Sequence, residues 1–416
     1  MAIYTNIPIE HSPNARKPAS GKQFNPMFGY LKAFIIVLVV GHHTAVYHHL
    51  IAPSYPPASL VAKPHMWLVF PVVDSQHSIL LTLFSTFNDI FFMSLMFFLS
   101  GIFLWKSLYR KGILLFFRDR SIRLGLPFIV MLLITPLTFY PAYLQTDSSG
   151  FPGFWQQFSA VNQWSGPKWF LSLLMLFNII AVFLFSALPG IGNLLRKKTF
   201  KVFRQPAVFF SLVIILSSAA YVPMVLNDLN AGWSGWMYRG PFGVLNFQAN
   251  RIILYIVYFL TGVVIGAYGI ERTFIIPDGM LARRWYVWMI SALLVFIIHH
   301  NLSPVSANRN LILVQSSRKI MEGFIFVVSC ATSSVALLAI FLRFAYRRTR
   351  LLDSLSANSY GIFIIHYGVI SWLQYGLLKT SLPPMVKGSI VFILSLSFCW
   401  GAIALIRRIP SIAKVI

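Results

Sequence analysis

Ten apolar runs follow one another along this chain, and most contain about 20 residues, the length that a helix needs to cross a bilayer. Of the 416 residues, 57% are hydrophobic and 11% are charged, which is typical of a membrane protein. We therefore predict an all-α polytopic membrane protein with about ten transmembrane helices in one bundle. The seventh run is short, so its ends are the hardest to place. The runs cover residues 28–49, 79–104, 122–142, 168–188, 206–226, 250–269, 285–299, 320–342, 357–377 and 388–406.

The lysine and arginine residues are distributed unevenly between the predicted loops. If the N-terminus is cytoplasmic, 24 of the 34 fall in cytoplasmic segments, in agreement with the positive-inside rule. Both termini are then predicted to be cytoplasmic, because an even number of spans returns the chain to its starting side. The net charge of +24 follows mainly from this topology, with attraction to anionic membrane lipids as a second effect. It does not indicate a nucleic-acid partner.

One membrane domain accounts for nearly the whole chain. We place it at residues 28–407, between a polar cytoplasmic segment at 1–27 and a short cytoplasmic tail at 408–416. The first 27 residues contain no apolar core, so we expect no cleavable signal peptide, and the first helix acts as its own targeting signal.

Lys32 and His43 both lie inside the first apolar run, where lipid should exclude them. At about 100° and 1.5 Å per residue, they project from one helical face about 16 Å apart along the axis. Titratable groups at membrane depth usually face a bundle interior or a wet cavity, which favours a functional site. Alternatively, Lys32 extends to the cytoplasmic headgroups and His43 hydrogen-bonds a neighbouring helix. His42 points about 100° away, so we favour His43 as the residue that shares a cavity with Lys32.

A basic loop is predicted between the second and third runs. Within it, Arg120 and Arg123 are three residues apart, hence neighbours on one helical face at the cytoplasmic boundary. Two guanidinium groups there would suit a phosphate-rich ligand, because arginine offers planar, bidentate donors. The usual enrichment of basic residues in cytoplasmic loops explains Arg118 well. For Arg120 and Arg123, this enrichment and phosphate binding both stay open as explanations.

Five ordered motifs resemble the acyltransferase 3 family of integral membrane enzymes. That family's first-helix pattern is a basic residue, ten positions and a histidine. Lys32 and His43 match it, with lysine where arginine is usual, and the family's Arg-x-x-Arg falls on Arg120 and Arg123. The motifs are YLK at 30–32 leading to His43, DIFFMSLMFFLSG at 89–101, RSIRLGLP at 120–127, GPKWFL at 166–171 and SYGIFIIH at 359–366.

This resemblance implies a membrane O-acyltransferase. Such enzymes move an acyl group from cytoplasmic acyl-CoA, a co-substrate and not a bound cofactor, to a hydroxyl of an envelope carbohydrate or glycolipid. Acetyl is favoured over succinyl because it is the commoner group. The resemblance also implies a multi-pass protein of a bacterial inner membrane. The runner-up hypothesis is a transporter or flippase for an envelope glycan or lipid-linked sugar, in which the buried lysine and histidine form a translocation path.

Roles can be suggested for the remaining polar residues. His43 suits a general base or acyl relay, and Asp89, predicted at a similar depth, either orients its imidazole or caps locally. Lys32, Arg120 and Arg123 would bind the acyl-CoA. Three further residues have two interpretations each, as parts of the acceptor site or as packing and interfacial residues: Glu322, His366 and Trp169. Cys330 and Cys399 lie inside predicted helices, and no metal site is expected.

Overall fold

The protein is almost entirely helical in a computed structural model that describes residues 26–50, 52–53, 69–146, 150–161, 164–188, 190, 204–227, 236–239, 243–302 and 315–416. The polar N-terminal segment, up to residue 25, and the basic loop residues from Arg196 to Lys201 lie outside this set. The helices are α1 Met27–Val46, α2 Ile79–Arg120, α3 Leu126–Leu144, α4 Gly150–Ala160, α5 Trp169–Ala187, α6 Pro206–Leu226, α7 Ile252–Tyr268, α8 Met280–Arg283, α9 Trp285–Leu302, α10 Gln315–Phe344, α11 Arg350–Leu377, α12 Pro384–Ile406 and α13 Pro410–Ala413.

The prediction of a polytopic helical membrane protein agrees with this architecture. Seven helical segments among the described residues are long and apolar enough to cross a membrane. Every one of the ten predicted runs coincides with a helix of at least 17 residues, the shortest being α7. The number of helices that cross the bilayer, and the side on which the termini lie, stay predictions.

The prediction of a loop between the second and third runs is wrong, because this region is helical. The helix α2 continues to Arg120, with one non-helical residue, Gly112, at φ 73°. A π-helical turn, Ser121–Gly125, then joins it to α3. The residues after Gly112 are mostly leucine, phenylalanine and arginine, and these favour helix over loop.

Three glycines bring α2 and α7 into backbone contact. A Cβ atom on Gly262 would lie 2.1 Å from the carbonyl oxygen of Phe98, and one on Gly101 would lie 2.1 Å from that of Phe259. Gly266 makes the same close approach to Ile102. Only hydrogen in place of a side chain permits this packing, which is a common way for membrane helices to associate.

The helix α1 lies inside the bundle, packed against α2, α10, α11 and α12. Its residues Leu31, Ile35 and Val40 have no exposed surface. A buried helix of this kind can hold polar side chains away from lipid, so the polar residues of α1 face other helices.

Two features of the described non-helical residues bear on the packing of the helices. The antiparallel strands β1 Trp236–Arg239 and β2 Leu245–Gln248 form a hairpin, with Trp236 opposite Gln248. The segment before α2 is held to the start of α12 by a buried ion pair, in which Lys387 Nζ lies 2.8 Å from Asp74 Oδ2.

Candidate active site

The aromatic rings of His43, His366 and Tyr367 meet where α1 packs against α11. The ring centroid of His43 lies 5.3 Å from that of His366 and 4.7 Å from that of Tyr367. His366 is 2% exposed, whereas His43 is half-buried and so borders open space. His366 thus lies beside His43, and its role in an acceptor site stays a prediction.

The hydrogen bonding of His366 defines which of its nitrogens carries the proton. Its Nδ1 lies 2.7 Å from the carbonyl oxygen of Phe363, and since a carbonyl only accepts, Nδ1 is the donor. The Nε2 atom of the neutral ring is then a proton acceptor. It is buried and has no hydrogen-bond partner among the described residues. A base with a fixed tautomer therefore stands next to His43.

His42 faces a different helix, in agreement with the prediction that only one of the adjacent histidines points into the shared cavity. Its Nδ1 lies 3.1 Å from the carbonyl oxygen of Ser85 in α2, and its ring lies 5.0 Å from that of Phe92. His43 points instead toward α11, and the centroids of the two imidazoles are 5.3 Å apart.

The predicted pairing of Asp89 with His43 does not form in the described part of the chain. Asp89 Oδ2 lies 2.7 Å from a guanidinium nitrogen of Arg251, which also donates to the Asp89 carbonyl at 3.1 Å. The guanidinium further stacks on Phe326, 5.0 Å from the ring centroid. A buried guanidinium needs a nearby anion, and Arg251 finds it in this carboxylate. The Asp89 carboxylate is therefore paired with Arg251 and does not orient the His43 imidazole.

A second, cationic cluster surrounds Lys32 near the beginning of α1. The Lys32 ammonium lies 5.6 Å from the ring centroid of Tyr360, whose hydroxyl donates to the carbonyl oxygen of Arg123. The charges of Arg120 and Arg123 act on that of Lys32, so the three cations lie close together. Arg120 stacks on Phe116 at 5.1 Å, and Arg123 is exposed. The structure thus brings together the three residues predicted to bind acyl-CoA.

Trp169 and Glu322 are not in contact with the histidines in the described residues. Trp169 packs in an aromatic cluster at the start of α5, with its ring centroid 5.8 Å from Tyr255 and 5.5 Å from Trp236. Glu322 forms an ion pair within α10, 2.8 Å from the guanidinium of Arg318. Its place in an acceptor site stays a prediction.

Lys168 is a buried residue that the sequence analysis did not select. It lies in a short 3₁₀ turn ahead of α5, is 3% exposed, and donates to the hydroxyl of Thr135 at 3.0 Å. Its charge acts on His366, so it lies close to the histidines. An anion beside this buried ammonium would favour its protonated form. A lysine as the first residue of the fourth apolar run was the available signal.

Arg251 and Tyr367 were also missed. Both contact site residues that are distant in sequence, so no local pattern indicates their partners.

The described ranges contain no group of three or more histidine, cysteine, aspartate or glutamate residues that could hold a metal ion.

A family model described as "Acyltransferase domain" matches residues 27–404, nearly the whole chain. Neither the curated proteins nor the solved structures contain a match.

Proposed function

The chain belongs to the acyltransferase domain family, and from this membership we propose that it is a membrane O-acyltransferase that uses acyl-CoA. The acceptor is a hydroxyl of an envelope carbohydrate or glycolipid, reached from the outer face of a bacterial inner membrane. One observation carries the proposal: α1 and α11 together hold a cationic cluster around Lys32 and a histidine cluster around His43.

The cationic cluster suits the nucleotide end of the donor. Arg120, Arg123 and Lys32 would neutralise phosphate groups, and the guanidinium groups can bind them in a bidentate manner. The spacing of Lys32 and His43 along α1, about 16 Å, is comparable to the reach of an extended pantetheine arm. A donor bound from the cytoplasm would then bring its thioester to His43.

The histidine cluster supplies the proton transfers. The acceptor hydroxyl gives its proton to a ring nitrogen of His43, and its oxygen bonds to the thioester carbonyl carbon. The carbon–sulfur bond breaks, and the leaving thiolate takes the proton from the imidazolium. In a second route, His43 first receives the acyl group from sulfur and passes it to the hydroxyl, whose proton goes to Nε2 of His366. The first route uses His43 alone, and the second needs the two imidazoles side by side.

Residues nearer the predicted outer side would form the acceptor site. Trp169 offers an aromatic face for a sugar ring, and the Asp89 carboxylate, whose side chain is 42% exposed, can accept from hydroxyl groups. Glu322 lies one helical turn from Phe326, on which Arg251 stacks, and would contribute from further out.

The test uses purified protein in nanodiscs with radiolabelled acetyl-CoA and measures nucleotide binding and thiol release. We expect the wild type to release thiol, His43→Ala to bind without release, and Arg123→Ala to bind more weakly. Arg110→Ala, at an exposed arginine of the same helix region, is the matched control and should behave as the wild type.

Two results would contradict the proposal. If the wild type neither binds nor cleaves acetyl-CoA or succinyl-CoA, the proposed acyltransferase function is wrong. Substrate exchange across a vesicle membrane without thiol release would support the transporter hypothesis in its place.

A further inference from the structure

Three lysine or arginine side chains are buried in the described part of the protein, and two of them have a carboxylate partner. Arg251 pairs with Asp89, and Lys387 pairs with Asp74. Lys168 is the third, and its partner is the neutral hydroxyl of Thr135. An ammonium group has three donors, so two remain unused.

This arrangement is costly unless an anion completes it. Burying a cation without a counterion is strongly unfavourable, and a hydroxyl offsets this cost only in part. Lys168 also stands at the start of α5, a 19-residue helix whose N-terminus adds partial positive charge. Both features favour an anion in the same place, and the described residues supply none within hydrogen-bond distance of Lys168.

The location relates this missing anion to the reaction. The charge of Lys168 acts on His366, and Phe170, two residues after Lys168, packs against Phe363 of α11 with the ring centroids 5.7 Å apart. Lys168 therefore lies near the part of α11 that carries His366, the neighbour of His43. A carboxylate bound to Lys168 would be a few carbon atoms away from a carbonyl held at His43.

We propose that Lys168 binds the free carboxylate at the far end of a dicarboxylic acyl group, so that the donor is a thioester such as succinyl-CoA. This inference rests on the proposed acyltransferase function and specifies its acyl group. Family frequency alone favours acetyl, and the buried lysine reverses that preference. The two carboxyl carbons of an extended four-carbon acyl group are about 4 Å apart, which fits a short step beyond the reacting carbon.

The acyl group is a better source of this anion than the acceptor. Lys168 is 3% exposed, so a sugar ring could not lie against it without displacing its neighbours, whereas the end of an acyl chain is much narrower. A developing oxyanion is a weaker candidate still, since it would form next to His43, whereas the histidine on which the charge of Lys168 acts is His366.

The experiment compares succinyl-CoA with acetyl-CoA as donors for the wild type, Lys168→Met and Lys168→Arg in nanodiscs, with kcat/KM from thiol release. The wild type should prefer succinyl-CoA. Lys168→Met, which keeps the length and apolar stem, should lose between about tenfold and a hundredfold with succinyl-CoA, the range for a hydrogen bond to a charged group. Its kcat/KM with acetyl-CoA should change less than threefold, and Lys168→Arg should keep part of the preference. Lys379→Met, the same change at an exposed lysine, is the control.

The outcomes separate the two proposals. If acetyl-CoA is used as well as succinyl-CoA, or if Lys168→Met lowers both equally with an unchanged melting temperature, the carboxylate site is wrong and the acyltransferase stands. If Lys168→Met lowers kcat/KM only when the acceptor is anionic, whichever donor is used, then Lys168 binds the acceptor and the inference is also wrong. If Lys168→Met does not fold, the donor preference of the wild type decides. If neither thioester reacts, both proposals fail.

Discussion

Replacing Gly262 by alanine should weaken the contact between α2 and α7. The added Cβ would lie 2.1 Å from the carbonyl oxygen of Phe98, whereas ordinary contact begins at 3.4 Å. The helices would have to separate locally by about 1.3 Å, the difference between those two distances. Overpacking of this kind costs about 1–3 kcal/mol in a well-packed interior.

The same displacement would reach the candidate site. Arg251 begins the helix that carries Gly262, and its guanidinium lies 2.7 Å from Asp89 on α2. If the full 1.3 Å were transmitted, this distance would become about 4 Å, the outer limit for an ion pair. We therefore expect a stability loss near the upper end of the range.

Thermal melting in detergent, followed by the fraction that remains monodisperse, measures this effect. We expect the melting temperature of Gly262→Ala to fall by roughly 2–4 °C. Gly401→Ala is the matched control, because a Cβ there meets nothing within 4 Å, and alanine favours helix over glycine. A Gly262→Ala protein that melts together with the wild type would refute the close backbone contact.

Two further predictions concern the site. Asp89→Asn leaves the buried Arg251 without its anion and should lower the free energy of unfolding by about 1–3 kcal/mol, less than for a fully buried pair because the Asp89 side chain is 42% exposed. The double variant Asp89→Asn/Arg251→Met should recover part of the lost stability. Equal melting temperatures of Asp89→Asn and the wild type would contradict the pairing. Tyr360→Phe removes the hydroxyl that donates to the Arg123 carbonyl, so it should raise KM for acyl-CoA a few-fold and leave kcat unchanged. This rise corresponds to the loss of about 1 kcal/mol of binding free energy. A fall in kcat alone would contradict a role in binding the donor.

The helices could be predicted because their signals are local. An apolar run of about 20 residues specifies a spanning helix without reference to the rest of the chain. The spacing of Lys32 and His43 is equally local, and both side chains contact α11. The region after residue 104 was misjudged as a loop, because charge was given more weight than the helix propensity of its leucines and phenylalanines.

The partners of the site residues could not be predicted from one sequence. Asp89 and Arg251 are 162 positions apart, so their ion pair depends on how α2 packs against α7. The tautomer of His366 depends on one carbonyl oxygen. Lys168 sits within a motif that was noticed, but its burial and its lack of a carboxylate appear only when α3, α5 and α11 are assembled.

The positive φ of Gly112 also has a mechanical consequence. A Cβ there would meet nothing within 4 Å, so glycine is required at this position by the backbone angle and not by space. The residue divides α2 into two rods, one locked to α7 by glycine contacts and the other ending at Arg120. The angle between the rods determines where Arg120 lies relative to Lys32 on α1. A change of the backbone angle at this single residue would therefore reshape the donor end of the site while the contacts between α2 and α7 stay in place.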